Sequence, residues 1–196
     1  MVGTIPLYFE ITMSRFVPSI VLLIPLFLLQ ACGPLTIRDA ATKTHVPIGS
    51  GSLELHREVR FPRERTRVFF QDGELVPTLN EFKPHCQLEI GPLRDEVQTV
   101  RPDRFEISRI STRIDPVVML QPVRLAAVGM RVGAFSGDGG VTRQTQVFLF
   151  RLHSERQPQV RQFNCGGAFE DPGLAQWPTL QDIARALGDY ATLHLE

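Results

Sequence analysis

The 196-residue chain carries 21 Lys and Arg against 21 Asp and Glu, a formal net charge of zero, with 43% hydrophobic residues. Nucleic-acid binders usually hold a basic excess that releases counterions from phosphates, so this balance sets that class aside. The same neutrality gives no general attraction to anionic lipid headgroups.

At the N-terminus, Glu10 is acidic where the start of a secretory signal is basic, whereas Met13-Ser14-Arg15 makes a conventional beginning. Translation is therefore expected to start at Met13. From Phe16 to Leu29 the chain reads FVPSIVLLIPLFLL, without a charge, and Gln30-Ala31-Cys32-Gly33 follows. A basic start, a short apolar core and a small residue at the cut are the three parts of a secretory signal. A permanent span needs roughly 20 apolar residues. This run is shorter, and Pro18 and Pro25 each remove a helical hydrogen bond.

Leu29-Gln30-Ala31-Cys32, placed directly after that apolar core, resembles the lipobox of bacterial lipoproteins. Gln30 departs from the small residue usual at its position. The resemblance implies that residues 1–31 are a signal peptide, that the chain is cut before Cys32, and that the Cys32 thiol carries diacylglycerol. Palmitate is the expected acyl label. Each buried methylene contributes about 0.8 kcal/mol, so two or three acyl chains hold a protein stably in a membrane. In that class an aspartate after the cysteine favours inner-membrane retention. Gly33 in its place implies the outer membrane, with the domain facing the periplasm.

Loss of residues 1–31 removes Arg15 and Glu10 together and leaves the charge balance at zero. Two cysteines remain beside Cys32, and in an oxidising compartment Cys86 and Cys165 are expected to form a disulfide. By loop closure such a bond contributes on the order of 4 kcal/mol. No cofactor and no metal site is expected. Zinc wants three or four ligands, and only His85 lies close to either cysteine.

Residues 34–52 have little apolar periodicity and end in Gly-Ser-Gly-Ser, which reads as a flexible tether. With Cys32 and Gly33 it would form a linker, 32–52, holding the domain about 25 Å from its anchor. Residues 53–196 are then one domain. Its pattern is alternation: Leu53, Leu55 and Val59 on one parity, then Val68-Phe69-Phe70, 86–90, 105–110, 122–128, 146–152 and 160–165. Asp72-Gly73, Gly91-Pro92 and Gly137-Asp138-Gly139-Gly140 divide these runs as turns. Near the end, Thr179 and Asp182 suit a capping box, Leu180, Ile183, Ala184 and Leu187 share one helical face, and Gly188 can stop the helix. Residues 191–195 alternate as a last strand. The expected fold is mainly β, an antiparallel sheet or sandwich with one short C-terminal helix.

Chemistry-bearing motifs are few. Gly133–Gly140 includes Ser136 but lacks the Gly-x-Ser-x-Gly spacing of a nucleophile elbow, and reads as a hairpin loop. His85 and Cys86 are adjacent on a strand, where side chains point to opposite faces, so they do not make a nucleophile–base pair. The remaining histidines are isolated. Arg63, Arg65 and Arg67 would share one face of an extended segment and could contact an anion; against this stands a solvated face balanced by Glu64. No catalytic residue is assigned. Two function classes follow. The first is a membrane-anchored lipoprotein of the envelope that acts without catalysis, as an accessory or binding protein contacting another envelope protein or the cell wall. The alternative is a periplasmic hydrolase whose site is assembled from scattered residues.

Overall fold

The computed structural model describes residues 33–119 and 141–196. The signal and lipobox residues lie outside this set, as do the expected 122–128 strand and the Gly133–Gly140 loop. Among the described residues no helix is long and apolar enough to cross a membrane.

The fold is mainly antiparallel β: an eight-stranded sheet curled into a half-barrel, with one short helix near the C-terminus. Among the described residues, twelve strands run in chain order. They are β1 (Thr36–Asp39), β2 (Thr44–Pro47), β3 (Gly51–Leu55), β4 (Val59–Phe61), β5 (Arg67–Gln71) and β6 (Glu74–Val76). They continue as β7 (His85–Ile90), β8 (Gln98–Val100), β9 (Asp103–Met119), β10 (Val141–His153), β11 (Val160–Gly166) and β12 (Ala191–Leu195). Helix α1 spans Leu180–Leu187. The large sheet has the order β12-β3-β9-β10-β11-β7-β5-β6, while β1–β2 and β4–β8 form separate two-stranded sheets.

Alternating burial gives the curled sheet one core face. In β7, Cys86, Leu88 and Ile90 are buried while His85, Gln87 and Glu89 are half-buried. Phe70, Phe105, Phe148, Phe150 and Phe163 join them in one apolar core. Helix α1 closes this core with Ile183, Ala186 and Leu187, packed against β1, β5, β7 and β12. Its N-terminus carries the full capping box: Thr179 Oγ1 accepts from Asp182 N–H, and the Asp182 carboxylate accepts from Thr179 N–H. At its C-terminus Gly188 has φ 51° and lies against Gly73, whose N–H donates to the Ala186 carbonyl. A Cβ on Gly188 would come within 2.6 Å of Gly73 Cα. Helix stop and hairpin turn are thus one contact. The turn itself is the two-residue Asp72-Gly73 type, with both φ angles positive.

Two expectations about organisation are corrected. Residues 34–52 are not a flexible tether. They hold the β1–β2 hairpin, whose register runs from Thr36↔Pro47 to Asp39↔Thr44. Ile37 is 1% exposed and Ile48 5%, so the segment contributes to the core. The hairpin turn is tied to α1, since Gln181 accepts from Ala40 N–H and donates to the Asp39 carboxylate. That bond, with those from Thr42 and Ala41, holds the Asp39 carboxyl below its ordinary value. The folded unit therefore starts at Leu35, not at residue 53. The second correction concerns Leu53, Leu55 and Val59, which do not belong to one strand. The chain leaves the large sheet after Leu55 and enters the β4–β8 pair at Val59. Arg57, where the alternation fails, lies in that crossing with its guanidinium over the Tyr190 ring.

Candidate functional site

Cys86 and Cys165 are directly opposite each other on β7 and β11. They are joined by a disulfide, their Cα atoms 4.1 Å apart and their positions 79 residues apart in sequence. Both are buried. The link pins β11 just before Gly166-Gly167, where the Gln176 carbonyl occupies the space a Cβ on Gly167 would need. His85, next to Cys86, presents its ring to Gly166 and donates from Nδ1 to the Lys83 carbonyl. Burial pushes the His85 pKa below its ordinary value, so the imidazole is neutral at pH 7. A disulfide sulfur is no nucleophile, and this pair makes no catalytic dyad.

The premise that placed Arg63, Arg65 and Arg67 on one extended face fails. Residues 63 and 64 form a turn in which Glu64 has φ 57°, and β5 begins only at Arg67. All three arginines are exposed, and Arg67 pairs with Glu89 on β7 at 3.1 Å.

Other arginines do gather. Beside the β4–β8 pair lies a cleft of about 660 Å³, lined by Glu58, Arg60, Thr99, Arg101, Arg156 and Gln157 among others. At its base Asp103 is buried, its side chain 2% exposed. Its carboxylate accepts from Ser154 Oγ at 2.9 Å, Gln157 Nε2 at 3.2 Å and Arg104 N–H at 2.8 Å, and from the Arg156 guanidinium. Gln157 also brackets the Arg101 backbone, accepting from its N–H and donating to its carbonyl. This network fixes the β10–β11 turn onto the start of β9. Arg60 is paired with Glu58 and Arg156 with Asp103, so the cleft's own acids balance two of its three cations. Sequence reading missed it because its members come from 101–104 and 154–157, with no local motif. Among the described residues no group of three or more His, Cys, Asp or Glu side chains could hold a metal ion.

The second feature is a strand edge. Residues Asp103–Leu55 through Glu106–Ser52 pair β9 with β3, while β10 lies on its other side. Past Glu106, β9 runs on to Met119 with β10 as its sole partner among the described residues. A bulge at Ser108 marks the change, where Arg151 pairs with Arg109 and Leu152 with Ile107. Ser108 Oγ donates to the Arg151 carbonyl there. The phase of the edge follows from β10. Gln144 and Gln146 turn their backbone groups away from β9, bonding Glu170 and Gly167. In an antiparallel strand N–H and C=O of one residue point the same way and alternate. The odd residues of β10 therefore face β9, and with them the odd residues Arg109, Ser111, Arg113 and Asp115 of β9 bond β10. Ile110, Thr112 and Ile114 direct their N–H and C=O outward. Ile114 is 50% exposed, one of few large apolar side chains so placed.

No family model, no curated protein and no solved structure matches the chain.

Proposed function

We propose that the chain is a membrane-anchored lipoprotein of the envelope that works by contact with another envelope component, and not by catalysis. The lipobox residues Leu29-Gln30-Ala31-Cys32 support the anchor, and the Cys86–Cys165 disulfide suits an oxidising compartment such as the periplasm. Gly33 supports the outer membrane as the address. The start of the folded unit at Leu35 sharpens the reading, because only Gly33 and Pro34 separate it from Cys32. Three Cα steps of about 3.8 Å keep Leu35 within about 11 Å of the lipidated residue. The domain is then held against the membrane, where confinement raises the effective concentration of a partner in the same layer.

The observation that carries the contact mode is the outward row of backbone groups on β9. An unpaired edge is the ordinary template for adding a strand from another chain.

Metabolic palmitate labelling tests the anchor. Wild-type chain should take up label, and Cys32→Ala should abolish it and leave an uncleaved or mis-processed precursor without the lipid. Absence of label in the wild type, or label surviving the substitution, contradicts the proposal. The contact mode is contradicted separately if purified chain turns over a wall or lipid substrate and one cleft substitution, such as Arg101→Ala, abolishes turnover without lowering the melting temperature.

A further inference from the structure

The free stretch of β9 has two natural limits. On one side is the bulge at Ser108, on the other Pro116, which has no N–H to offer. Midway between them stands Thr112. A window with a centre suits a two-fold axis, because a strand pairing antiparallel with its own copy places one residue opposite itself.

We infer that β9 is a self-pairing edge: two copies of this chain join antiparallel through Ile110–Ile114, with Thr112 opposite the Thr112 of the second copy. In this register Ile110 faces Ile114 and Ile114 faces Ile110. All three outward residues of each copy exchange both backbone bonds, about six in total. Ile114, half exposed in one copy, gains a neighbour that already packs on the core. On the opposite face Arg109 stands across from Asp115 in both halves of the interface. Asp115 already accepts from its own Arg113 at 2.5 and 2.8 Å, so each carboxylate would lie between two guanidinium groups.

The neighbouring registers are worse for stated reasons. Centring on Arg113 puts that arginine opposite itself, and centring on Ser111 puts Arg109 opposite Arg113. Like charges directly across a pair are destabilising. Centring on Ile114 sets Thr112 opposite Pro116 and loses a donor on each side. Centring on Ile110 sets Thr112 opposite the bulged Ser108. Charge pattern, bulge and proline all select Thr112. Self-pairing names a second copy as the chain added at the edge on which the proposed contact mode rests, uses no property of the lipid anchor, and stands if that anchor is absent.

Cysteine scanning in the full chain tests it. Hydrogen-bonded antiparallel partners have Cα atoms about 5.5 Å apart, inside the range a disulfide spans. Thr112→Cys should therefore give a disulfide-linked dimer on mild oxidation that the wild type does not give. Ile110→Cys alone and Ile114→Cys alone should give no disulfide-linked dimer, whereas coexpressing the two should link them. Sedimentation supplies a second reading. Asp115→Arg should weaken self-association by about tenfold or more, and Arg109→Asp with Asp115→Arg should restore it. The inference is overturned if Thr112→Cys does not crosslink or links a different protein. It is equally overturned if Ile110→Cys alone links as readily, or if Asp115→Arg leaves the dimer fraction unchanged.

Discussion

The half of the sheet built on β7 and β11 and the arm built on β9 and β10 look alike in sequence, since both alternate apolar and polar residues. They differ in what surrounds the backbone. β7 lies between β11 and β5, is bonded to Cys165 through Cys86, and is covered by α1. Beyond Glu106, β9 has a neighbour on one side only among the described residues. Both regions bury apolar residues, Phe105, Phe148 and Phe150 among them, but only the β9 arm leaves one backbone edge facing outward. The difference separates stability from contact, and substitutions should reveal it as two kinds of loss.

The largest contrast comes from the same change made in both places. Ile183, 1% exposed on α1, becomes in Ile183→Asp a buried charge without a partner, which should cost about 3–5 kcal/mol and unfold most of the chain. Ile114→Asp, at a position 50% exposed, should move stability by about 0.5 kcal/mol or less while abolishing self-association. Thermal melts of the two variants check this. Equal losses would mean that the arm is part of the core and would erase the comparison.

The disulfide should give an intermediate effect confined to stability. Replacing Cys86 and Cys165 together with alanine removes a crosslink between positions 79 apart and should cost about 2–4 kcal/mol by denaturant titration. The Thr112→Cys crosslink would be unaffected in chain that remains folded. A midpoint unchanged from wild type would place the stability of this half in packing alone.

What could be read from sequence divides along the same line. Cys86 and Cys165 were legible because only two cysteines remain once Cys32 is set aside. Helix α1 was legible because Thr179, Asp182 and Gly188 are local signals at fixed spacing. The β1–β2 hairpin was not, since its two strands have four residues each and the segment buries only Ile37 in β1 and Ile48 just after β2, eleven positions apart, too sparse a pattern for periodicity. Arg63 was misplaced because the turn at Glu64 needs a positive φ that no glycine or asparagine announces. The Asp103 network and the free edge of β9 were hidden for a common reason. Both depend on which distant strands become neighbours, and alternation alone names a strand's faces without naming its partners.

Residue-resolved amide exchange on the Asp115→Arg chain, at a concentration below its weakened self-association, measures the edge directly, because β9 is then unpaired by a second copy. Ser111 and Arg113 should be protected by β10, while Ile110, Thr112 and Ile114 exchange freely, an alternation of period two along one strand. In wild-type chain at dimer-forming concentration the same three amides should become protected. Thr112 and Ile114 as slow as Ser111 and Arg113 in the variant would show the edge already covered within one chain, and would contradict the account.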